Sequence, residues 1–129
     1  MEKPCQSENR IFYHITLRSN LESILNKGLI PDIGIKCQKC YNDNPTEKLV
    51  YMTDLESIKA WRNALYREND DCIIFEVNCT ELKLIKRCKY IHGPEYACRT
   101  TIPPENIKLT NLWHSIFIYI QTNSLDGFF

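Results

Sequence analysis

Ile11-Phe12-Tyr13-His14-Ile15-Thr16 is a run of β-branched and aromatic side chains with one histidine among them. Such residues fit a pleated, half-buried surface, so the run predicts a strand. The next stretch predicts a helix. Ser19-Asn20-Leu21-Glu22 has the form of a capping box, in which the Ser19 hydroxyl accepts from the third helical N–H and Glu22 reaches back. Leu21, Ile24 and Leu25 share one helix face. Gly28 ends the helix by taking a left-handed conformation, and Pro31 prevents its resumption. The same grammar returns later. Leu49 to Met52 reads as a strand, and Thr53-Asp54-Leu55-Glu56 as a second capping box. Ile58, Trp61, Ala64 and Leu65 then form the buried stripe of a helix running to about Arg67.

Outside these two units the chain is richer in strands. Cys72 to Val77 is mostly apolar, which predicts a central strand. Leu82 to Ile85 is a short apolar segment, and residues 88–91 read as a short strand. Glu95 to Thr101 predicts another strand, ending at Ile102-Pro103-Pro104. Ile107 to Ile120 is dominated by β-branched and aromatic residues, so Trp113 and His114 read as sheet residues. Residues 1–9 are polar and read as a loose arm. Residues 31–48 form a long connection, of the kind that is functional or disordered in a small domain. Two main helices near the N-terminal half and five to seven strands predict an α+β fold with a mixed or antiparallel sheet, in one domain spanning residues 1–129.

Composition narrows the class further. Apolar residues make up 43% and charged residues 25% of the 129, and 16 Lys+Arg balance 16 Asp+Glu. Net charge therefore exerts no bulk pull toward nucleic acid or membrane. Lys83, Lys86, Arg87 and Lys89 form one local basic cluster, read as a solvated face. No apolar run approaches the ~18 residues of a membrane span. Seven cysteines, an odd number, and no basic-then-apolar leader at the N-terminus point to free thiols in a reducing cytoplasm. Cys37-Gln38-Lys39-Cys40 is one thiol pair, whereas a structural zinc site takes four ligands, commonly two such pairs. The pair is read as loop thiols, with no metal assigned.

Three residues stand out as chemistry-bearing. His14 sits on the first strand, Tyr51 on the second, and Glu95 follows Gly93-Pro94 at the mouth of a third. Singly, each has a plain reading: a satisfied core histidine, a core aromatic, a solvated strand start. Together they are expected to face one cleft. The order of pieces then resembles the ADP-ribosyltransferase superfamily, in the branch marked by a His–Tyr–Glu triad. The matching pieces are Tyr13-His14-Ile15-Thr16, Asn20 to Pro31, Val50-Tyr51-Met52-Thr53-Asp54, and Glu95-Tyr96 through Ile107. They cover about residues 11–107, and their order and spacing carry the likeness.

The resemblance implies a split sheet and the use of NAD as substrate. It implies that His14 holds the NAD ribose with Thr16 beside it, that Tyr51 stacks on nicotinamide, and that Glu95 is the catalytic carboxylate. Asn20 lies where nucleic-acid-modifying members carry a helical asparagine near the nicotinamide, though Asn20 also serves the helix start. Arginine-modifying members usually carry Glu or Gln two residues before the catalytic Glu. Gly93 stands there, so the acceptor expected is a nucleic acid, a small molecule or a protein side chain other than arginine. The family includes toxins, but no residue of this sequence speaks to that role. Two other readings remain: a relative that binds NAD or an ADP-ribose-like nucleotide, or a partner protein, without turnover, and an RNA 2′-phosphotransferase-like enzyme. The latter group tends to have His where Tyr51 stands.

Overall fold

The computed structural model describes residues 10–32, 47–88 and 90–112. Along the chain these hold β1 (Ile11–Leu17), α1 (Leu21–Lys27), β2 (Val50–Met52), α2 (Ile58–Leu65), β3 (Cys72–Asn78), β4 (Ile85–Arg87), β5 (Glu95–Cys98) and β6 (Ile107–Leu109). The class is α+β, and all strand pairs among the described residues are antiparallel. There are two three-stranded sheets, ordered β1-β3-β6 and β2-β5-β4.

β3 is the centre of the first sheet because it is apolar on both faces. Cys72, Ile73, Ile74, Phe75 and Val77 are all buried, as suits a strand covered from two sides. Alternation sends Phe12, His14 and Thr16 of β1 to the same face as their partners Val77, Phe75 and Ile73. That face closes on the second sheet through Val50, Met52 and Cys98, with Ile24, Leu29 and Ile102 completing the core. Phe12 stacks on Tyr96 with ring centroids 4.0 Å apart, a contact worth about 0.5–1.5 kcal/mol beyond its area. α2 packs on β1.

The two sheets join at a corner. Tyr13 and Thr53 exchange backbone hydrogen bonds of 2.8 and 2.9 Å. The ends of the long connection are joined as well, by two bonds between Asp32 and Leu49 at 3.1 and 3.0 Å. Its interior, with Cys37 and Cys40, lies outside the described residues, as do the arm 1–9 and the C-terminal stretch with Trp113 and His114.

Several local expectations are corrected. Neither capping box forms. A 3-10 turn, Arg18–Asn20, precedes α1, and no side chain caps either element. At the second site the cap is Asp54, one residue later than expected, whose carboxylate accepts from the Ser57 N–H at 2.9 Å. The Thr53 hydroxyl is recruited elsewhere and donates to the Pro94 carbonyl at 2.8 Å. Gly28 has φ 84° and ψ −170°, so it is extended with positive φ rather than left-handed, a region open essentially only to glycine. The strand expected at 88–91 lies earlier, at Ile85–Arg87. β5 ends at Cys98, ahead of a bend at Arg99-Thr100, and β6 covers Ile107–Leu109, after which the Thr110 N–H still bonds the Ile74 carbonyl of β3; the expected strand from 113 to 120 lies outside the described residues.

Candidate functional site

The corner between the sheets opens into a cavity of about 610 Å³. It is lined by His14, Thr16, Asn20, Tyr51 and Glu95, with Trp61, Leu65 and Tyr66 from α2 and its end, and Gly28 to Ile30 opposite. All five residues singled out from the sequence therefore border one space. The volume falls in the range of roughly 300–1,000 Å³ typical of small-molecule sites.

His14 is fixed by the corner. The Tyr13–Thr53 bridge brings β1 against β2, and the His14 Nδ1–H donates to the Tyr51 carbonyl at 2.7 Å. A carbonyl only accepts, so Nδ1 carries the proton and Nε2 keeps a lone pair as acceptor. Burial pushes the His14 pKa below the usual imidazole value, opposed by the hydrogen bond to Tyr51. A neutral ring with one accepting nitrogen is the result. The direct contact between the two residues is thus imidazole to backbone, and the Tyr51 side chain borders the cavity.

Thr16 and Asn20 act on one another. The Asn20 Nδ2 donates to Thr16 Oγ1 at 2.8 Å. Asn20 thereby ties the 3-10 turn to β1 at the cavity rim, a use its place before the helix did not reveal.

Glu95 opens β5 and is only 3% exposed. Its position is set from two directions. The Thr53 hydroxyl holds the preceding Pro94 carbonyl, and Gly93 turns with φ 123° against Ser57. The register Tyr51↔Ala97 and Arg87↔Glu95 then puts Tyr51, Glu95, Ala97 and Arg87 on one face of the second sheet. Arg87 Nη1 lies 3.4 Å from Glu95 Oε1. The Arg87 pKa is raised: burial works against the cation, and the Tyr90 hydroxyl and the Glu95 carboxylate outweigh it.

Three contributors carry no sequence signal that singles them out. Arg87 is no member of a solvated face, since it is half-buried on Glu95. Thr53 is a lock on the Glu95 strand. Tyr66 donates its hydroxyl to the Ile15 carbonyl at 3.3 Å, and burial lifts its pKa to about 12. A hairpin register linking β4 to β5 would have revealed Arg87, but the intervening segment carries no turn motif that fixes a register.

Cys72, Cys79 and Cys98 are buried free thiols and Cys88 an exposed one. Among the described residues no group of His, Cys, Asp and Glu is arranged to hold a metal ion, and no helix is long and apolar enough to cross a membrane. No family model matches the chain, and no curated protein matches it.

Proposed function

We propose that this chain is a small ADP-ribosyltransferase that uses NAD as substrate and modifies an acceptor other than arginine, a nucleic acid or a small molecule. The single observation carrying this reading is the meeting of His14, Tyr51 and Glu95 around one cavity from three separate strands. Two three-stranded sheets joined at a corner are compatible with the split sheet of that superfamily. In this reading the pinned imidazole accepts a hydrogen bond from a ribose hydroxyl at Nε2. The Tyr51 ring stacks on the cationic nicotinamide, worth about 0.5–2 kcal/mol.

The reaction breaks the glycosidic bond between the ribose C1′ and the nicotinamide nitrogen. The bonding pair leaves with nicotinamide, which departs neutral, and positive charge grows on the sugar. A carboxylate held in place beforehand is worth most at that moment. Glu95 supplies the negative charge and takes the acceptor's proton as the new bond to C1′ forms.

The test uses NAD labelled in the nicotinamide. Wild-type protein should release nicotinamide with a nucleic acid or lysate present, and Glu95→Ala should release none. No release under any of these conditions would refute the activity. A second reading, a module that binds NAD without turning it over, draws support from Arg87, which already engages the carboxylate at 3.4 Å. Calorimetry showing NAD binding without nicotinamide release would select it.

A further inference from the structure

A carboxylate that is almost wholly buried needs a reason to be there. The Glu95 side chain is 4% exposed, and removing such a group from water costs several kcal/mol unless it is paired and hydrogen-bonded. Its partner, Arg87, stands directly opposite in the β4–β5 ladder. Glu95 borders the cavity, whereas Arg87 is not part of its lining, and the guanidinium meets the carboxylate from the neighbouring strand. The Tyr90 side chain lies close enough to that guanidinium to raise its pKa alongside Glu95. Tyr90 is 7% exposed, and its ring meets Trp61 of α2 edge-on at 5.3 Å and 76°. A continuous line runs from Trp61 through Tyr90 and Arg87 to Glu95. Lys86 cannot take over the role, because alternation turns it to the opposite face, over the Tyr96 ring at 5.7 Å.

We propose that Arg87, steadied by Tyr90, is a positioning residue for Glu95: it fixes the carboxylate at the cavity wall and supplies the counter-charge that keeps a buried anion there. The inference rests on the reading of Glu95 as the catalytic carboxylate. It adds a residue that the His–Tyr–Glu pattern does not contain. Arg suits the task better than Lys, since its planar fork presents several fixed donors while a lysine ammonium is a point charge on a flexible stem. Other titratable groups on the elements around Glu95 include Tyr51 on β2, Tyr13 and His14 on β1, Tyr96 and Cys98 on β5, Tyr90 and His92 in the β4–β5 turn, and Lys59, Arg62 and Tyr66 on and beyond α2. Phenols are neutral near pH 7, and burial disfavours the His14 cation. Arg62 turns its guanidinium to the Glu68 and Asp70 carbonyls.

The experiment tracks the Glu95 carboxyl carbon by NMR as pH is varied, with Glu95→Gln used to assign the signal. Arg87→Met should raise the Glu95 midpoint by about one pH unit or more, Arg87→Lys should keep most of the wild-type value, and Tyr90→Phe should fall between. Nicotinamide release should drop at least about tenfold in Arg87→Met through kcat, with KM for NAD moving less, and recover in part in Arg87→Lys. A Glu95 midpoint unchanged in both Arg87→Met and Tyr90→Phe overturns the proposal. So does unchanged kcat in a folded Arg87→Met. If Arg87→Met fails to fold, Tyr90→Phe, which removes one oxygen and keeps the ring, decides alone. If wild-type protein releases no nicotinamide, the activity is refuted while the titration still decides whether Arg87 governs Glu95.

Discussion

Replacing Gly28 by Ala should cost this fold about 2–5 kcal/mol, and the figure can be built from local geometry. Gly28 has φ 84° and ψ −170°, a conformation costing a residue with a Cβ about 1–3 kcal/mol. An added Cβ would also stand 2.1 Å from the Ile102 carbonyl oxygen and 3.2 Å from the Pro103 Cα. Both are backbone atoms, so no side-chain rotation relieves the overlap. The two segments must part, and two hydrogen bonds join them there: Leu29 N–H to Ile102 O and Ile102 N–H to Leu29 O, both 2.9 Å. Each contributes about 0.5–1.5 kcal/mol, and a buried group left unpaired costs more. Leu29 and Ile102 are 3% and 0% exposed, so water cannot substitute for the lost partners. Against a total of about 5–15 kcal/mol for a domain of this size, the loss is a large share. Urea unfolding monitored by circular dichroism measures it, with Asn26→Ala on the exposed face of the same helix as control, expected within about 0.5 kcal/mol. A Gly28→Ala loss below about 1 kcal/mol would refute the close-approach argument.

Gly93 gives a contrasting case, because its Cβ would meet a side chain, with Ser57 Oγ at 2.1 Å and Ser57 Cβ at 2.6 Å. Gly93→Ala should destabilise by about 2 kcal/mol, and adding Ser57→Gly should recover part of the loss; no recovery in urea midpoints would show that φ alone decides. His14 sets a pH dependence. Its folded pKa lies below the unfolded 6.5, so the unfolded chain binds the proton more readily and stability rises with pH. The contribution is complete above about pH 6.5 and is lost as pH falls from there toward the folded value. His14→Gln should flatten the pH dependence of urea midpoints below about pH 6.5, and an unchanged slope would contradict the buried neutral ring. Arg62, 2% exposed, donates to the Glu68 and Asp70 carbonyls at 3.2 and 2.9 Å. Both bonds come from the one nitrogen Nη2, so Arg62→Met removes both and should cost about 1–3 kcal/mol, with proteolysis near Asn69 rising; equal protease resistance would count against that role.

The strands and helices were legible where burial and periodicity agree. β1, β3 and both helices come directly from β-branched runs and helical stripes. The edges were not legible. β4 lies a few residues before its expected place and β5 stops three residues before its expected end, because pairing partners, invisible in one dimension, decide where a short strand starts and stops. His14, Tyr51 and Glu95 could be picked out because each sits at a strand position that type and order single out. Arg87 could not, since a lysine-rich neighbourhood looks the same whether a given side chain faces water or a carboxylate.

The two capping motifs show how such a misreading arises and why it bears on the site. A capping box names residues able to satisfy helix-end N–H groups, but those hydroxyls and amides can also bond across the fold. At the second site a partner across the fold won, and at the first Asn20 turns back to a hydroxyl four residues earlier. Asn20 bonds Thr16 and leaves its helix without a side-chain cap. Thr53 bonds the Pro94 carbonyl, and Asp54 caps in its place. Both diversions end at the cavity, one at its rim and one beside Glu95. A strong local motif whose polar atoms are used elsewhere has given up a cap worth about 1 kcal/mol, at least at the first helix. Here the first bond fixes β1 to its turn, and the second fixes the end of β2 to the start of β5, the strand that brings Glu95 to the cavity. If so, Thr53→Val should lower nicotinamide release more than it lowers stability, whereas Ser19→Ala, at the unused cap, should change neither.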